Sequence, residues 1–143
     1  MPAYELTKAN ASEIIPKIKN GTCVVLHHMN GCIHCEMFMP VWKEICQAYK
    51  NKKAFVLVSV EYSVTALLPD KMRNVQGFPT LRAYKNGSPV AEFNDNRTYD
   101  AVSSFIERYG NNEHVEKLKL KGAGAGAGAK AKAGTKKKVK KTA

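Results

Sequence analysis

Two cysteines, Cys32 and Cys35, stand between a short apolar segment and a segment with helical periodicity. The preceding run, residues 23–28, is rich in β-branched residues, which is typical of a buried strand. After Cys35 the apolar residues recur at steps of three and four, which predicts an amphipathic helix of about four turns, kinked at Pro40. The chain must therefore place a Cys-x-x-Cys pair at a strand-to-helix junction.

At such a junction the cysteine pair favours redox chemistry. Unpaired N–H groups at a helix start stabilise a neighbouring anion, so the thiolate form of Cys32 is favoured and Cys32 is the predicted nucleophile. Cys35 lies one turn along on the same face and is the predicted resolving thiol. The alternative is half of a zinc site, which would need a second pair that the sequence lacks. We expect no metal and no cofactor, with Cys23 and Cys46 as buried structural thiols.

The remaining periodicity predicts an α/β domain. Residues 54–60 form a second apolar strand, and residues 80–84 and 90–93 form a hairpin around Asn86-Gly87. We predict helices at 12–19, interrupted by Pro16, at 64–74, and from a cap at Thr98 or Asp100 to Gly110, with a further strand at 4–6. This order implies a central mixed β-sheet flanked by helices on both faces.

A second motif, Gly77-Phe78-Pro79-Thr80-Leu81, precedes the hairpin, and Tyr84-Lys85-Asn86-Gly87, Phe93, Arg97 and Thr98 follow it. With the cysteine pair and Pro40, this pattern over residues 1 to about 110 resembles the thioredoxin family, and most closely a catalytic domain of protein disulfide isomerase. The resemblance implies a thioredoxin fold.

The resemblance also implies roles for the matching residues. Pro79 is expected to follow a cis bond and to lie against Cys32, and the backbone of Phe78 to pair with an extended substrate. His34 matches the histidine of the isomerase motif, which favours the reduced thiolate. The implied activity is that of a thiol-disulfide oxidoreductase, which reduces, forms or isomerises disulfides in protein substrates and is recycled by an unidentified reductant or oxidant.

Four positions depart from the family pattern. Gly31 replaces the usual tryptophan, so we expect no flat apolar surface beside the thiolate, and Ile33 replaces the usual glycine. We expect Gly31, Ile33 and Phe78 to contact substrate. Leu26 replaces a buried carboxylate that serves Cys35. His28, two residues along the strand on the same side, is a candidate substitute proton shuttle, whereas His27 points to the other side.

Basicity is concentrated at the C-terminal end of this 143-residue chain. Residues 1–116 carry 13 Lys and Arg against 12 Asp and Glu, whereas residues 117–143 carry ten Lys and no acidic residue. We therefore predict a thioredoxin-like domain, 1–116, and a disordered Lys/Gly/Ala-rich tail, 117–143. The tail is expected to bind nucleic acid or another polyanion without sequence specificity, mainly through Lys136, Lys137, Lys138, Lys140 and Lys141.

The N-terminus has no pattern of a secretory signal, and no segment is long enough to cross a bilayer. We expect a soluble intracellular monomer, in the cytoplasm or nucleus or packaged in a virion. The competing hypothesis, from another class of function, is a redox-inert thioredoxin-fold binding module that its basic tail tethers to nucleic acid.

Overall fold

A computed structural model describes residues 3–110. The described chain forms five strands and three α-helices around one mixed sheet. In chain order the elements are β1 (Ala3–Glu5), α1 (Ala11–Lys19), β2 (Thr22–His28), α2 (Ile33–Ala48), β3 (Val56–Glu61), β4 (Thr80–Lys85), β5 (Ser88–Glu92) and α3 (Tyr99–Gly110). The predicted order of strands and helices is confirmed except between β3 and β4.

The sheet has the order β1-β3-β2-β4-β5, with β1, β3 and β2 parallel and β4 and β5 antiparallel to their neighbours. The central strand β2 is buried along its whole length, as its continuous apolar sequence predicts. Its side chains alternate between two cores. Val24 and Leu26 face α2 and α3, whereas Cys23 and Val25 face α1. Helices therefore cover both faces of the sheet.

The predicted helix at residues 64–74 is wrong. The structure forms two short 3₁₀ helices there, Tyr62–Leu67 and Asp70–Met72. They are separated because Pro69 disfavours helical backbone at the residue before it, and Leu68 is accordingly extended with ψ of 156°. The chain still returns to the core here, where Leu68 and Met72 are fully buried.

Two other prolines lie inside helices, and the kink predicted at Pro40 stays a prediction. Helix α1 continues through Pro16, so the predicted interruption is wrong, and α2 runs unbroken past Pro40. Each proline removes one bond to the carbonyl four residues earlier, at Ser12 and Glu36 respectively. Both of those residues are exposed, so water can satisfy the free carbonyl groups.

The hairpin between β4 and β5 follows the sequence prediction. Asn86 and Gly87 both have positive φ, 52° and 83°, which a two-residue turn matching the strand twist requires. The start of α3 is capped by Thr98, whose Oγ1 accepts the Ala101 N–H at 3.2 Å, so of the two candidate caps the threonine acts.

Helix α2 is fixed over the sheet by a buried polar contact. The Trp42 Nε1–H donates to Ser59 Oγ on β3 at 2.8 Å, while Phe38 and Ile45 fill the apolar core on either side. Since β2 leads directly into α2, this contact fixes where the helix start lies above the carboxyl end of β2. The cysteine pair is located at that point.

Residues 111–143 lie outside the described part, so the domain boundary at 116 and the disordered tail remain predictions. Among the helices of residues 3–110, none is long and apolar enough to cross a membrane.

Candidate active site

The Cys32 sulfur lies at the N-terminus of α2 and takes part in two hydrogen bonds, one on each side. Cys32 is the N-cap residue, and its Sγ accepts the Cys35 N–H at 3.2 Å. Its thiol in turn donates to the Phe78 carbonyl, with 3.7 Å from sulfur to oxygen. The helix start supplies partial positive charge, which stabilises the sulfur when it becomes an anion. Cys32 is partly exposed, so a second sulfur can reach it.

Cys35 lies beneath Cys32 and is only 3% exposed. Burial, and after it the hydrogen bond with Cys32, raise the pKa of the Cys35 thiol to about 11, although the positive charge of Arg97 acts in the opposite direction. A thiol of that pKa is protonated at neutral pH. Cys35 can therefore attack only after it loses a proton, which suits a resolving thiol that acts second.

The other two cysteines are distant from this chemistry. Burial alone raises the pKa of Cys23 to about 12 and that of Cys46 to about 11. Cys23 is fully buried, whereas Cys46 is partly buried against the core on the α2 side. All four cysteines are free thiols.

The Phe78-Pro79 bond is cis, as the sequence resemblance predicted. Its position follows from the register of the sheet. Leu26 lies opposite Leu81 and His27 opposite Thr80, so the residues before Thr80 continue alongside the end of β2. That places Phe78 and Pro79 beside the loop that carries Cys32, and the 3.7 Å contact with the Phe78 carbonyl results.

The loop before Cys32 is held by Glu61, which sequence reasoning missed. One Glu61 carboxylate oxygen accepts the Asn30 N–H and the other accepts the Ser63 N–H, both at 2.9 Å. Hydrogen bonds from the Ser63 hydroxyl first, and from the Asn30 and Ser63 backbone next, lower the pKa of Glu61 to about 2. The end of β3 thus fixes Asn30, two residues before Cys32.

The flat tryptophan ring that the family has before its first cysteine is missing, as the sequence shows, because position 31 is Gly31. Gly31 has φ of 84°, a backbone conformation that tryptophan rarely adopts. Four of the six exposed large apolar side chains in residues 3–110 nevertheless lie within five residues of Cys32 along the chain or, for Tyr62, against the Phe78 ring. We call them the apolar rim: Met29, Ile33, Met37 and Tyr62.

Two residues of the rim follow the reactive thiol on α2, and a third contacts Phe78. Ile33 and Met37 are 63% and 69% exposed and lie one turn apart on α2, directly after Cys32. The Tyr62 ring meets the Phe78 ring edge to face at 5.7 Å between centroids. The apolar repeat after Cys35 includes Met37, so the sequence alone does not separate this exposed side chain from the buried residues of α2.

The position of the family's buried carboxylate is apolar here. Leu26 is 1% exposed and lines a pocket of about 320 Å³ with Phe38, Pro79 and Arg97. Arg97 belongs to the family pattern in the sequence, which predicts no role for it. In the structure its positive charge lowers the pKa of Cys35. A hydrogen bond with the Met29 backbone, and after it the charge of Arg97, lower the pKa of Cys35, but they do not offset the effect of its burial.

The three histidines near the site are in different surroundings. His27 is fully buried on the α1 face, where its Nε2 lies 2.9 Å from the Tyr84 hydroxyl, so its predicted orientation is confirmed. His28 is 6% exposed; burial lowers its pKa, and the nearby carboxylates of Glu5 and Glu61 oppose that shift. The His34 side chain is exposed in the first turn of α2.

His28 has a buried Nε2 without a hydrogen-bond partner among residues 3–110. The charges that act on it are those of Glu5 and Glu61, whereas the charges that act on Cys35 are those of Cys32 and Arg97. Its role as a proton shuttle therefore stays a prediction. Within the same described range, no three His, Cys, Asp or Glu side chains are grouped so as to hold a metal ion.

A cysteine pair at a helix N-terminus beside a cis proline, on a mixed sheet covered on both faces, defines an α/β domain with a dithiol site. The family model described as Thioredoxin matches residues 2–108. The chain belongs to the thioredoxin family, and its described domain has the thioredoxin fold.

Several named proteins resemble the chain in sequence. Protein disulfide-isomerase 1 of Caenorhabditis elegans is 26% identical over 110 residues, which cover 76% of this chain and 22% of that protein. Protein disulfide-isomerase A4 of Homo sapiens is 30% identical over 90 residues, covering 61% of this chain and 13% of that protein. The chain thus spans less than a quarter of the length of these relatives.

Solved structures resemble the domain in fold. The J-Trx1 fragment of ERdj5 has a TM-score of 0.63 at 18% identity, covering 78% of this chain and 51% of that one. Human ERp44 has a TM-score of 0.60 at 20% identity, and the match covers 76% of this chain and 33% of ERp44. At these identities the likeness concerns the fold alone.

The burial of three thiols predicts selective alkylation of the fourth. At pH 8 a thiol of pKa about 11 is ionised in roughly one molecule per thousand, and the thiolate is the form that reacts. Iodoacetamide should therefore modify Cys32 at least about 100-fold faster than Cys23, Cys35 or Cys46 in the folded protein, as measured by peptide mass spectrometry. Cys32→Ser should remove the fast phase, and equal rates at Cys32 and Cys35 would contradict the assignment of roles.

Proposed function

We propose that this domain is a thiol-disulfide oxidoreductase that acts on cysteines of other proteins through Cys32 and Cys35. The observation that carries the proposal is the double contact of the Cys32 sulfur, with the N–H at the start of α2 at 3.2 Å and with the carbonyl that precedes the cis Pro79 at 3.7 Å. The first contact stabilises a thiolate, and the second places it beside a backbone edge that an extended peptide can use.

The reaction has two exchange steps. The Cys32 thiolate attacks one sulfur of a substrate disulfide, that S–S bond breaks, and the substrate's other sulfur leaves as a thiolate that takes up a proton. Cys35 then loses its proton and attacks the Cys32 sulfur, which releases the second substrate thiol. The Cys32–Cys35 pair is oxidised to a disulfide while the substrate disulfide is reduced to two thiols.

The same steps in reverse form a disulfide in the substrate. Two electrons move in either direction, so turnover requires a second dithiol to reduce the Cys32–Cys35 disulfide, or a disulfide oxidant to reoxidise the pair. Isomerisation needs neither, because the substrate's own thiol can displace Cys32 before Cys35 does. We propose reduction as the net direction in a reducing compartment.

Protein substrates are favoured by the apolar rim. The rim exposes apolar carbon in the segments next to Cys32 and against Phe78, and this carbon would contact the residues that flank a substrate cysteine. A small disulfide such as oxidised glutathione would use little of this surface. The relatives named protein disulfide-isomerase support the same substrate class, although each is several times longer than this chain.

Insulin reduction tests the function. With dithiothreitol as the electron source, the wild-type chain should accelerate the precipitation of reduced insulin, and Cys32→Ser should abolish that acceleration. Cys35→Ser should retain the first step and accumulate a mixed disulfide with insulin, detectable on a non-reducing gel. Equal rates for wild type and Cys32→Ser would instead favour the competing hypothesis, a redox-inert binding module.

The rim predicts selectivity between large and small substrates. Ile33→Ser combined with Met37→Ser should lower kcat/KM for insulin by roughly tenfold, since losing contact with two apolar side chains costs about 1–2 kcal/mol. The rate with oxidised glutathione should not change. The matched control is Val90→Ser with Tyr99→Ser, which removes the two exposed large apolar side chains of residues 3–110 that lie outside the rim and should alter neither rate. A parallel loss with both substrates would refute a docking role for the rim.

A further inference from the structure

The pocket of about 320 Å³ that Leu26 lines has an apolar floor. We call it the proline pocket, because Pro79 forms part of its lining. The floor consists of buried side chains from three elements, Leu26 on β2, Phe38 on α2 and Leu81 on β4, which are 1%, 3% and 4% exposed. The remaining lining comes from the start of β4, the end of β5 and the loop before α3. The pocket therefore reaches the core between the sheet and the helices α2 and α3.

The proline pocket adjoins the reactive sulfur. Pro79 directly follows Phe78, whose carbonyl oxygen is 3.7 Å from the Cys32 sulfur. Thr80, also in the lining, lies opposite His27 near the carboxyl end of β2, so the pocket is at the same end of the sheet as the cysteine pair. No member of the apolar rim lines it. A substrate strand that pairs with the backbone of Phe78 therefore continues past this pocket.

Strand geometry indicates which substrate residue reaches the pocket. The lining residues Pro79, Thr80 and Leu81 follow Phe78 by one, two and three positions. Paired strands advance together, by about 3.3 Å per residue. Since the Phe78 carbonyl marks where Cys32 meets the substrate cysteine, the pocket lies beside substrate residues about one to three positions from that cysteine.

The walls of the pocket are fixed to the sheet. The Phe93 N–H donates to the Leu81 carbonyl at 2.9 Å, and the Phe93 ring meets the Phe105 ring edge to face with 5.5 Å between centroids. The Thr80 hydroxyl donates to the Gly77 carbonyl at 2.7 Å. The pocket is thus formed in the free protein, so a ligand that enters it pays little to order the walls.

The charges of the lining disfavour an ionic ligand. Two carboxylates, Glu92 and Asp95, accompany one guanidinium, Arg97. Glu92 is already bound by Arg82, whose Nε and Nη2 donate to Oε1 at 3.0 and 2.7 Å. Neither of the two ion pairs within residues 3–110 includes Arg97. An anion would meet the carboxylate of Asp95, and either kind of ion would lose water against the apolar floor.

We propose that the proline pocket binds an aromatic side chain of the substrate protein, within about three residues of the substrate cysteine. This inference rests on the proposed function, because the substrate is the protein whose disulfide Cys32 attacks. An apolar cavity of roughly 150 Å³ admits benzene, so a pocket of about 320 Å³ has room for a phenyl, phenol or indole ring. Phe38 and Phe93 offer contacts between rings, and the Arg97 guanidinium offers a cation–π contact. An aliphatic side chain gains only its burial.

Peptide disulfides test this preference with the full chain. Each substrate is a disulfide-linked dimer of a short peptide that carries Phe or Ala one, two or three positions before or after its cysteine. With dithiothreitol as the electron source, kcat/KM of wild type should be about tenfold higher for Phe than for Ala at one or more of these positions, because the bound ring leaves water. Equal values for Phe and Ala at every position would overturn the proposal.

A variant that blocks the pocket should lose the preference. Asn94→Trp places a large side chain at an exposed position of the lining, so the advantage of Phe over Ala should disappear while the rate with the Ala peptide is kept. The matched control is Asn96→Trp, at an exposed position of the same loop outside the lining, and it should keep the full advantage. An advantage that survives in Asn94→Trp, or that both variants lose, would contradict the pocket as its source.

A binding measurement separates this inference from the proposed function. The probe N-acetyl-phenylalaninamide contains no sulfur, so its binding does not depend on the dithiol. In NMR spectra of wild type it should shift the methyl signals of Leu26 and Leu81 saturably, at concentrations on the order of 1–10 mM, and leave those of Ile14 in the core on the other face unchanged. Asn94→Trp should abolish these shifts.

The two measurements have distinct outcomes. Saturable shifts in a wild-type chain that reduces no peptide would refute the proposed function and leave the aromatic site in place. Reduction of both peptides without these shifts would support the function and overturn the aromatic site. Shifts with the amide of N-acetyl-glutamate, but not with the phenylalanine probe, would overturn the proposal in favour of an anion site at Arg97.

Discussion

The hydrogen bond from the Cys35 N–H to the Cys32 sulfur is the contact on which the active site depends. It exists because only a short loop, residues 29–32, joins β2 to α2. Cys32 therefore occupies the N-cap position of a helix whose first N–H groups lack partners within the helix. The Trp42–Ser59 bond fixes the helix over the sheet, and Glu61 fixes the loop before the cysteine. Pairing of β2 with β4 then brings the Phe78 carbonyl to the other side of the sulfur.

The surroundings of the pair divide the two cysteines by role. Cys32 has partial exposure, an N–H donor and a neighbouring apolar rim, so it can meet a large substrate. Cys35 is buried, and burial raises its pKa to about 11. Leu26 occupies the position at which the family usually has a buried carboxylate. Proton removal from Cys35 is therefore opposed by burial, and it is helped only by a hydrogen bond with the Met29 backbone and, after it, by the charge of Arg97. Resolution of the mixed disulfide is expected to be slower than its formation.

The sequence was enough to predict the strand–Cys-x-x-Cys–helix junction, the hairpin at Asn86-Gly87 and the mixed sheet, because each depends on local periodicity or turn chemistry. The helix at 64–74 failed because Pro69 acts on the residue before it, which the periodic pattern does not register. Glu61 and Arg97 act across tens of residues of sequence, through pairing of β3 with β2 and through the loop before α3. Local patterns carry no such information, so those contributions required the structure.

The central claim is that Cys32 and Cys35 form a reversible dithiol couple, and its reduction potential tests this most directly. The full chain would be equilibrated in glutathione buffers of graded ratio, quenched with acid, alkylated and mapped by mass spectrometry. The account predicts one two-electron transition that pairs Cys32 with Cys35 alone, at a potential between about −270 and −180 mV, the values of thioredoxin and of protein disulfide isomerase. A pair that stays reduced throughout that range, or a disulfide that involves Cys23 or Cys46, would contradict it.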